Sequence, residues 1–251
     1  MHRFFIKQKD FQCEQAIIIG SDVLHITRVL RLEKSKSIRI IDENGKEYQG
    51  VIQDINPNQV IVNQLFEIKT QTESKCKVTL YQSIPKTGKM EYVIQKCVEL
   101  GVYEIVPVLT ERSVVHLQDP KDRLKKQERW QKIAEESAKQ CKRVCIPQIT
   151  LPCMLDEAIP AMRNQALMIV PWEEEKHVSI KALLHRTGKQ MSDIGILVGP
   201  EGGLSSREIN GIKAIGGIPI TLGKRILRTE TCGMVVLTIV LYEMDELGGK
   251  M

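Results

Sequence analysis

Two glycine-bearing loops near the carboxyl end of the chain combine backbone groups that can hold a ligand with side chains that can do chemistry. The first glycine loop, residues 199–203, reads G-P-E-G-G and contains the carboxylate of Glu201. The second glycine loop, residues 223–228, ends in Arg228, and Glu230 follows it closely. Glycine lets backbone amides and carbonyls approach a ligand because no side chain stands in the way. An arginine stabilises developing negative charge, and a carboxylate accepts a proton.

Each glycine loop follows a predicted strand, residues 194–198 and 218–222, because both runs are short, apolar and rich in β-branched residues. Ser205 and Glu208 have the spacing of a capping box, so a helix should begin between these strands. Ligands of open α/β sheets bind outside the carboxyl ends of the strands, which predicts one site bordered by both loops. The glycines could also serve only to turn the chain. Neither loop has the sequence of a common phosphate-binding loop.

The pairing of G-P-E-G-G with L-G-K-R-I-L-R-T-E-T, which begins at Leu222, resembles the signature of the SPOUT methyltransferases. More closely, it resembles the RsmE family, which methylates N3 of uridine in small-subunit ribosomal RNA. The resemblance implies an α/β domain with a parallel sheet and a trefoil-knotted carboxyl end. It also implies that the knot loops bind S-adenosylmethionine (SAM). Knots are so rare that periodicity and composition alone would not propose one.

The resemblance assigns site residues to both glycine loops. Backbone groups are expected to hold SAM at Val198, Gly199, Gly203, Leu222, Gly223, Ile226 and Leu227. The apolar pair Ile226-Leu227 should be buried beside the cofactor. The expected catalytic residues are Arg228, Glu201 and Glu230. Arg228 would stabilise the uridine anion or fix the target nucleotide, and Glu201 would orient that nucleotide or relay its proton.

The amino-terminal part of the chain is predicted to be a separate β module. Asn44-Gly45 lies between alternating strands at 37–42 and 47–52, which is a strong hairpin pattern. A polar stretch at 67–77 resembles a linker, and from residue 78 onward strands alternate with helices, which predicts a parallel sheet. The predicted domains are therefore a PUA-like β-barrel that helps to hold RNA, residues 1–70, and a SPOUT methyltransferase domain, residues 75–248. The PUA-like assignment is implied by the RsmE resemblance, which also covers Arg3 and the segment from His25 to Arg31.

A basic segment, residues 121–143, carries nine Lys or Arg and four acidic residues, an excess that equals the net charge of +5 of the whole chain. It predicts an amphipathic helix with a phosphate-binding face, although an ordinary solvated face would show the same pattern. At its end Gln140 and Arg143 match the RsmE pattern. Lys139 and Lys142 depart from it, because the family usually has an acidic residue and a glycine there. The expected RNA-binding residues are Arg3, Arg28, Arg31, Lys86, Arg112, Gln140 and Arg143.

Composition sets the broad class of the 251-residue chain. It is 42% hydrophobic and 27% charged, which is typical of a globular protein. Seven cysteines without a C-x-x-C pair predict neither a metal site nor a disulfide framework, and favour a reducing cytoplasm. No apolar run is long enough for a membrane span. The last predicted helix, about residues 232–244, is apolar on nearly every side and should be buried against its sheet, a second subunit or both, so a homodimer is expected.

The sequence therefore predicts a SAM-dependent methyltransferase that acts on N3 of a specific uridine in 16S ribosomal RNA or the small subunit. Two alternatives remain at this point. A catalytically silent RNA-binding assembly factor would keep the fold, although Glu201, Arg228 and Glu230 are all in place. A SPOUT methyltransferase acting on a ribose 2′-oxygen or on transfer RNA would share the two glycine loops.

Overall fold

The computed structural model describes residues 1–12, 15–69, 72–86, 88–188 and 191–248. The chain folds as two compact units. The amino-terminal unit consists of Met1–Glu73 and Ala138–Ile146, and the carboxyl-terminal unit of Ser74–Ser137 and Pro147–Met251. Each unit has its own sheet and its own apolar core.

The amino-terminal unit is built on a six-stranded sheet. Its strands are β1 (Arg3–Phe5), β2 (Phe11–Gln12), β3 (Gln15–Ile19), β4 (Ser37–Ile41), β5 (Glu47–Ile55) and β6 (Gln59–Ile68). They lie in the order β1-β4-β5-β6-β3-β2, with only the β1-β4 pair parallel. The predicted hairpin forms between β4 and β5, and Gly45 in its turn has a φ of 76° that favours glycine. Two register shifts between β5 and β6 bend this sheet.

A short helical connection joins β3 to β4. Helix α1 (Ser21–Leu24) continues into a π-helical turn, His25–Val29. Val23 and Ile26 are buried in the core of the sheet, and Arg28 is exposed. This helical segment carries His25 and Arg28, and its last turn is wider than that of an α-helix, whereas Arg31 lies beyond its end.

The carboxyl-terminal unit contains a parallel sheet of seven strands. They are β7 (Lys77–Ser83), β8 (Glu104–Leu109), β9 (Gln148–Ile149), β10 (Cys153–Met154), β11 (Leu167–Pro171), β12 (Asp193–Val198) and β13 (Ile218–Ile220). The order is β10-β8-β7-β12-β11-β13, and β9 also pairs with β8. Every pair is parallel, which confirms the α/β class predicted from strand–helix alternation.

Among the residues that the structure describes, six helices follow the first of these strands: α2 (Lys89–Leu100), α3 (Pro120–Cys141), α4 (Leu155–Arg163), α5 (Ile180–Thr187), α6 (Ser206–Ala214) and α7 (Thr229–Glu243). The last turn of α3, from Ala138, belongs to the amino-terminal unit. The capping box that predicts the start of α6 is present. The Ser205 hydroxyl accepts a hydrogen bond from the Glu208 amide at 3.2 Å, and the Glu208 carboxylate accepts one from the Ser205 amide at 2.8 Å. None of the helices in the described ranges combines the length and the hydrophobicity of a membrane span.

The chain after β13 returns to the middle of the sheet. Strand β13 lies at the edge beyond β11, whereas α7 packs against β7, β12 and α2. The second glycine loop therefore crosses the carboxyl ends of β11 and β12. A SPOUT-like trefoil-knotted domain requires such a crossing.

Candidate active site

A cavity of about 580 Å³ lies where strands β12, β11 and β13 end. Both glycine loops, the end of β11 and the first turn of α7 contribute to its wall. All residues predicted for cofactor binding and catalysis line it, namely Val198, Gly199, Gly203, Leu222, Gly223, Ile226, Leu227, Glu201, Arg228 and Glu230. The fold therefore brings these residues of the two glycine loops and of α7 to one cavity.

Thr229, which directly follows the second glycine loop, is hydrogen-bonded to the first. Its hydroxyl donates a hydrogen bond of 2.7 Å to the carbonyl oxygen of Gly199 and accepts one of 3.0 Å from the side-chain amide of Gln82. Thr229 and Gln82 are both buried. Neither was predicted as a site residue. The sequence signal that could have found one of them is the polar pair Gln82-Ser83 at the carboxyl end of β7, the edge where parallel sheets bind ligands.

Two of the glycines adopt backbone conformations that other residues avoid. Gly223 has a φ of 105° and Gly203 a φ of 71°, both in the left-handed region. A Cβ at Gly203 would also lie 3.3 Å from a carboxylate oxygen of Glu173. These positions therefore need glycine for geometric reasons, and their backbone groups stay accessible beside the cavity.

Four charged side chains meet at the cavity wall. The Lys89 ammonium lies 3.1 and 3.2 Å from the two carboxylate oxygens of Glu230, and 3.9 Å from one oxygen of Glu201. That Glu201 oxygen also accepts a hydrogen bond of 3.0 Å from the backbone amide of Lys86. The Arg228 guanidinium lies 4.0 Å from Glu230. Lys89 was not among the predicted site residues.

Glu230 keeps its negative charge in this surrounding. Burial by itself would raise the pKa of Glu230, but the amide at the start of α7, the hydrogen bond from Lys89 and the charges of Lys89 and Arg228 outweigh it and lower that pKa. A lowered pKa means that the ionised carboxylate stabilises the fold above its ordinary pKa. The contribution is lost as pH falls through the lowered value.

The second glycine loop differs from expectation at Ile226. The prediction that Ile226 is buried was wrong, since it is 82% exposed, whereas Leu227 is partly buried. The loop has no regular secondary structure and crosses the open edge of the sheet, so its side chains face solvent more than the core. The Arg228 side chain is likewise 80% exposed.

The wall also offers an aromatic face. Trp172 follows β11, is partly buried, and lies under the Lys213 ammonium at 5.4 Å from the ring centre. With Val198, Ile220 and Leu222 it gives one side of the cavity an apolar character.

The residues predicted to bind RNA lie outside this cavity. Arg112 donates a hydrogen bond of 3.1 Å to the carbonyl of Gly202, and the Lys86 side chain is exposed. In the amino-terminal unit, Arg28, Arg31 and Gln140 are exposed.

Two further RNA-binding candidates are held by carboxylates. Arg3 pairs with Glu47 at 2.9 Å and also donates to the carbonyl of Lys142. Arg143 pairs with Glu73 at 2.6 Å. Their side chains are 10% and 8% exposed, so both guanidinium groups also have a structural role. Within the described part of the chain, no group of three or more His, Cys, Asp or Glu side chains suits a metal ion.

Comparison with known proteins identifies the family. Residues 72–241 match the RNA methyltransferase domain family, and residues 18–65 match the PUA domain of RNA methyltransferases. The chain is 32% identical to ribosomal RNA small subunit methyltransferase E (RsmE) of Bacillus subtilis, over 99% of both proteins. The chain belongs to the RsmE family. Another RsmE, from Aquifex aeolicus, is 30% identical over 96% of this chain and 99% of the relative.

A solved RsmE structure supports the same assignment. RsmE from Neisseria gonorrhoeae bound to SAM superposes with a TM-score of 0.84 at 28% identity, covering 96% of this chain and 97% of that chain. The predicted SPOUT-like domain preceded by a PUA-like module is confirmed, as is the predicted RNA methyltransferase class. The SAM prediction is confirmed for the family by this relative.

The residues of this RsmE-family chain fit SAM. The apolar side of the cavity suits an adenine ring, and the backbone of the two glycine loops can hydrogen-bond its polar edge. SAM carries positive charge on its sulfur and amino group and negative charge on its carboxylate. The cavity wall offers partners for both, with acidic side chains at Glu173, Glu201 and Glu230 and basic ones at Lys89, Lys224, Arg225 and Arg228.

Proposed function

We propose that this chain methylates N3 of a specific uridine in 16S ribosomal RNA, with SAM as the methyl donor. The observation that carries the proposal is the convergence of Glu201, Glu230 and Arg228 on one cavity at the carboxyl ends of three neighbouring strands. SAM supplies a methyl group on a positively charged sulfur, which is a good leaving group, so the transfer itself requires no metal. The protein has to hold the donor in line with N3 and to exclude water.

The N3 proton of uridine has to leave during the transfer. Glu201 is the proposed acceptor, because the Lys86 amide orients its carboxylate while 28% of the side chain remains exposed. The proton passes from N3 to this carboxylate, or to a water that it orients, and then to solvent. Negative charge develops on the uracil carbonyl oxygens as N3 loses the proton. Arg228 is the proposed group that stabilises this charge or fixes the nucleotide, since it touches Glu230 only at 4.0 Å and can turn toward a substrate.

We propose that RNA binds to the amino-terminal module, residues 1–70, and to exposed charged side chains of the methyltransferase domain, residues 75–248. Arg28, Arg31, Lys86, Arg112 and Gln140 are exposed and available to RNA. Arg3 and Arg143 contribute in part by holding the loop around Lys142. Arg3 donates a hydrogen bond to the Lys142 carbonyl, and Arg143 pairs with Glu73. The exposed basic residues of α3 add attraction to phosphate.

A homodimer in the bacterial cytoplasm is also part of the proposal. Helix α7 buries Val236, Leu237 and Val240, yet its opposite side carries the partly buried Val235 and the 63% exposed Tyr242. An apolar second face on a helix that already packs on a sheet suits a self-complementary interface around a two-fold axis.

A product assay tests the proposal. Purified protein is incubated with methyl-labelled SAM and with small subunits from cells that lack the gene, and the nucleosides are separated and identified by mass. Label in N3-methyluridine is expected. Label in a 2′-O-methyl ribose would show the alternative SPOUT chemistry, and unlabelled RNA would favour the silent assembly factor.

A further inference from the structure

Lys89 connects the carboxylates of Glu201 and Glu230, which belong to different segments of the cavity wall. Its ammonium lies within 3.2 Å of both oxygens of Glu230, at the start of α7, and 3.9 Å from Glu201 in the first glycine loop. These carboxylates lie more than 25 residues apart in the chain, and Lys89 comes from a third element, α2. One cation therefore holds both predicted acid groups at the place where they meet.

The position of Lys89 in its helix makes this arrangement informative. Lys89 is the first residue of α2 and follows Gly88, whose φ is 76°. The amino-terminal end of a helix carries partial positive charge, so a lysine there is unfavourable for the helix itself. The two carboxylates offset this cost, and the Lys89 side chain remains 35% exposed on the cavity side.

The charges around Glu230 come from three directions. Lys89 faces it from α2, Arg228 faces it at 4.0 Å from the residue before α7, and Glu201 shares the Lys89 ammonium from the first glycine loop. Without Lys89, the carboxylates of Glu201 and Glu230 would lose the cation that they share, while the exposed Arg228 would remain 4.0 Å from Glu230. The charge of Lys89 is one of the causes that lower the pKa of Glu230, so its loss would remove that effect.

We propose that Lys89 is a positioning residue for the methyl transfer, which holds the carboxylates of Glu230 and Glu201 in fixed places around the target nucleotide. The inference rests on the proposed function for its kinetic part. Lys89 acts through the two carboxylates and touches neither the reacting methyl group nor N3. An arginine in its place would keep the charge, and a methionine would keep only the length of the side chain.

The kinetic test compares Lys89→Met, Lys89→Arg and Lys96→Met. Lys96 is a matched control, because it lies in the same helix, pairs with Glu99 at 2.9 Å, and is 34% exposed. Lys89→Met should lower kcat by about 100-fold with unchanged SAM affinity, since loss of alignment costs about that much. The acid limb of its kcat–pH profile should move to higher pH, and Lys89→Arg should restore most of both. Lys96→Met should behave as the unmodified protein.

A second readout does not depend on catalysis. The carboxyl carbon of Glu230 is titrated by ¹³C NMR, with Glu230→Gln used to assign the signal. Lys89→Met should raise the pKa of Glu230, whereas Lys89→Arg and Lys96→Met should leave it low. Equal pKa values of Glu230 in Lys89→Met and Lys96→Met would overturn the proposal. This result would not depend on the proposed function, because the titration requires no methyl transfer.

Two kinetic outcomes would also overturn it. In the first, Lys89→Met has the same kcat and the same pH profile as Lys96→Met, and the unmodified protein makes N3-methyluridine. The proposal for Lys89 then fails and the proposed function stands. SAM affinity could instead collapse while the bound fraction turns over normally, which would make Lys89 a cofactor-binding residue.

Discussion

The hydroxyl of Thr229 donates a hydrogen bond of 2.7 Å to the carbonyl oxygen of Gly199, and so joins the end of the second glycine loop to the start of the first. The same hydroxyl accepts a hydrogen bond from Gln82 at the end of β7. Three segments that are distant in sequence are thereby held at one edge of the sheet. The cavity depends on this arrangement because both loops form its wall.

Replacing Thr229 with valine should loosen the cavity. The change keeps the shape of the side chain but leaves the Gly199 carbonyl and the Gln82 amide without this partner, which costs about 1–3 kcal/mol for a buried group. Urea unfolding should show the loss of stability, and calorimetry should show weaker SAM binding. Thr238→Val is the control, since the Thr238 hydroxyl donates a hydrogen bond within α7, to the Met234 carbonyl at 2.8 Å. Equal SAM affinities for the two variants would contradict the role given to Thr229.

Replacing Gly223 with valine should abolish SAM binding while the protein remains folded. Its φ of 105° is strained for valine, although a Cβ there would meet no atom within 4 Å. Gly216→Val is a close control, because Gly216 has a φ of 90°, has the same open surroundings and lies outside the cavity. Both changes should cost about 1–3 kcal/mol in backbone strain. Only Gly223→Val should lose SAM affinity by calorimetry, and equal affinities would remove Gly223 from the cofactor site.

Replacing Arg228 with alanine should reduce kcat by about 100- to 1,000-fold with SAM affinity nearly unchanged, as expected for one donor that stabilises developing charge. Arg207→Ala provides the comparison, since Arg207 is also 80% exposed and pairs loosely with a carboxylate, Glu111, at 3.5 Å. Single-turnover rates and SAM titrations separate the two effects. Collapse of SAM affinity with normal turnover of the bound fraction would instead make Arg228 a cofactor residue.

The sequence predicts the local parts of this site well. Strands β12 and β13 are short apolar runs, and the start of α6 is specified by Ser205 and Glu208 three residues apart. Such signals depend only on neighbouring residues, so they can be read without the fold. The parallel sheet then brings both glycine loops to one edge.

Interactions between distant segments could not be read in the same way. Lys89, Gln82 and Thr229 join the site only because α2, β7 and α7 meet there, and their residue types also occur commonly elsewhere. Ile226 was expected inside because it is apolar, but a loop across an open sheet edge exposes it. The cofactor and the target base were predicted from the family resemblance, because the hydrophobic periodicity of the sequence carries no information about either.

Lys142 shows how the fold accommodates a departure from the family pattern. It has a φ of 65°, the left-handed conformation for which the family usually has glycine, and the amide of Arg143 donates to the carbonyl of Ala138 at 3.0 Å. This is a Schellman ending of α3, in which glycine is the usual residue. The other departure, Lys139, pairs with Asp22 at 2.9 Å. Helix α3 thus ends in the backbone conformation that glycine usually adopts, although residue 142 is a lysine.

The exposed charges of α3 should set the salt dependence of RNA binding. Lys121, Lys125 and Lys132 are exposed, whereas Arg129 pairs with Glu91 and Lys126 lies over the Trp130 ring. Changing the three exposed lysines to glutamine should make the slope of log K against log salt shallower by about 0.7–0.9 for each phosphate that the variant no longer binds. The control changes the exposed Lys176, Lys181 and Arg186, which removes the same charge elsewhere. Similar slopes for both variants would mean that the α3 face is merely solvated.

The most direct measurement maps N3-methyluridine in small-subunit ribosomal RNA from cells with and without the gene. A methyl group at N3 blocks the base-pairing edge of uridine, so reverse transcription stops there, and nucleoside mass identifies the modification. We expect one stop at a uridine that disappears when the gene is removed. It should return with the unmodified chain and not with Arg228→Ala. An unchanged stop and unchanged N3-methyluridine content in cells without the gene would contradict the proposed function.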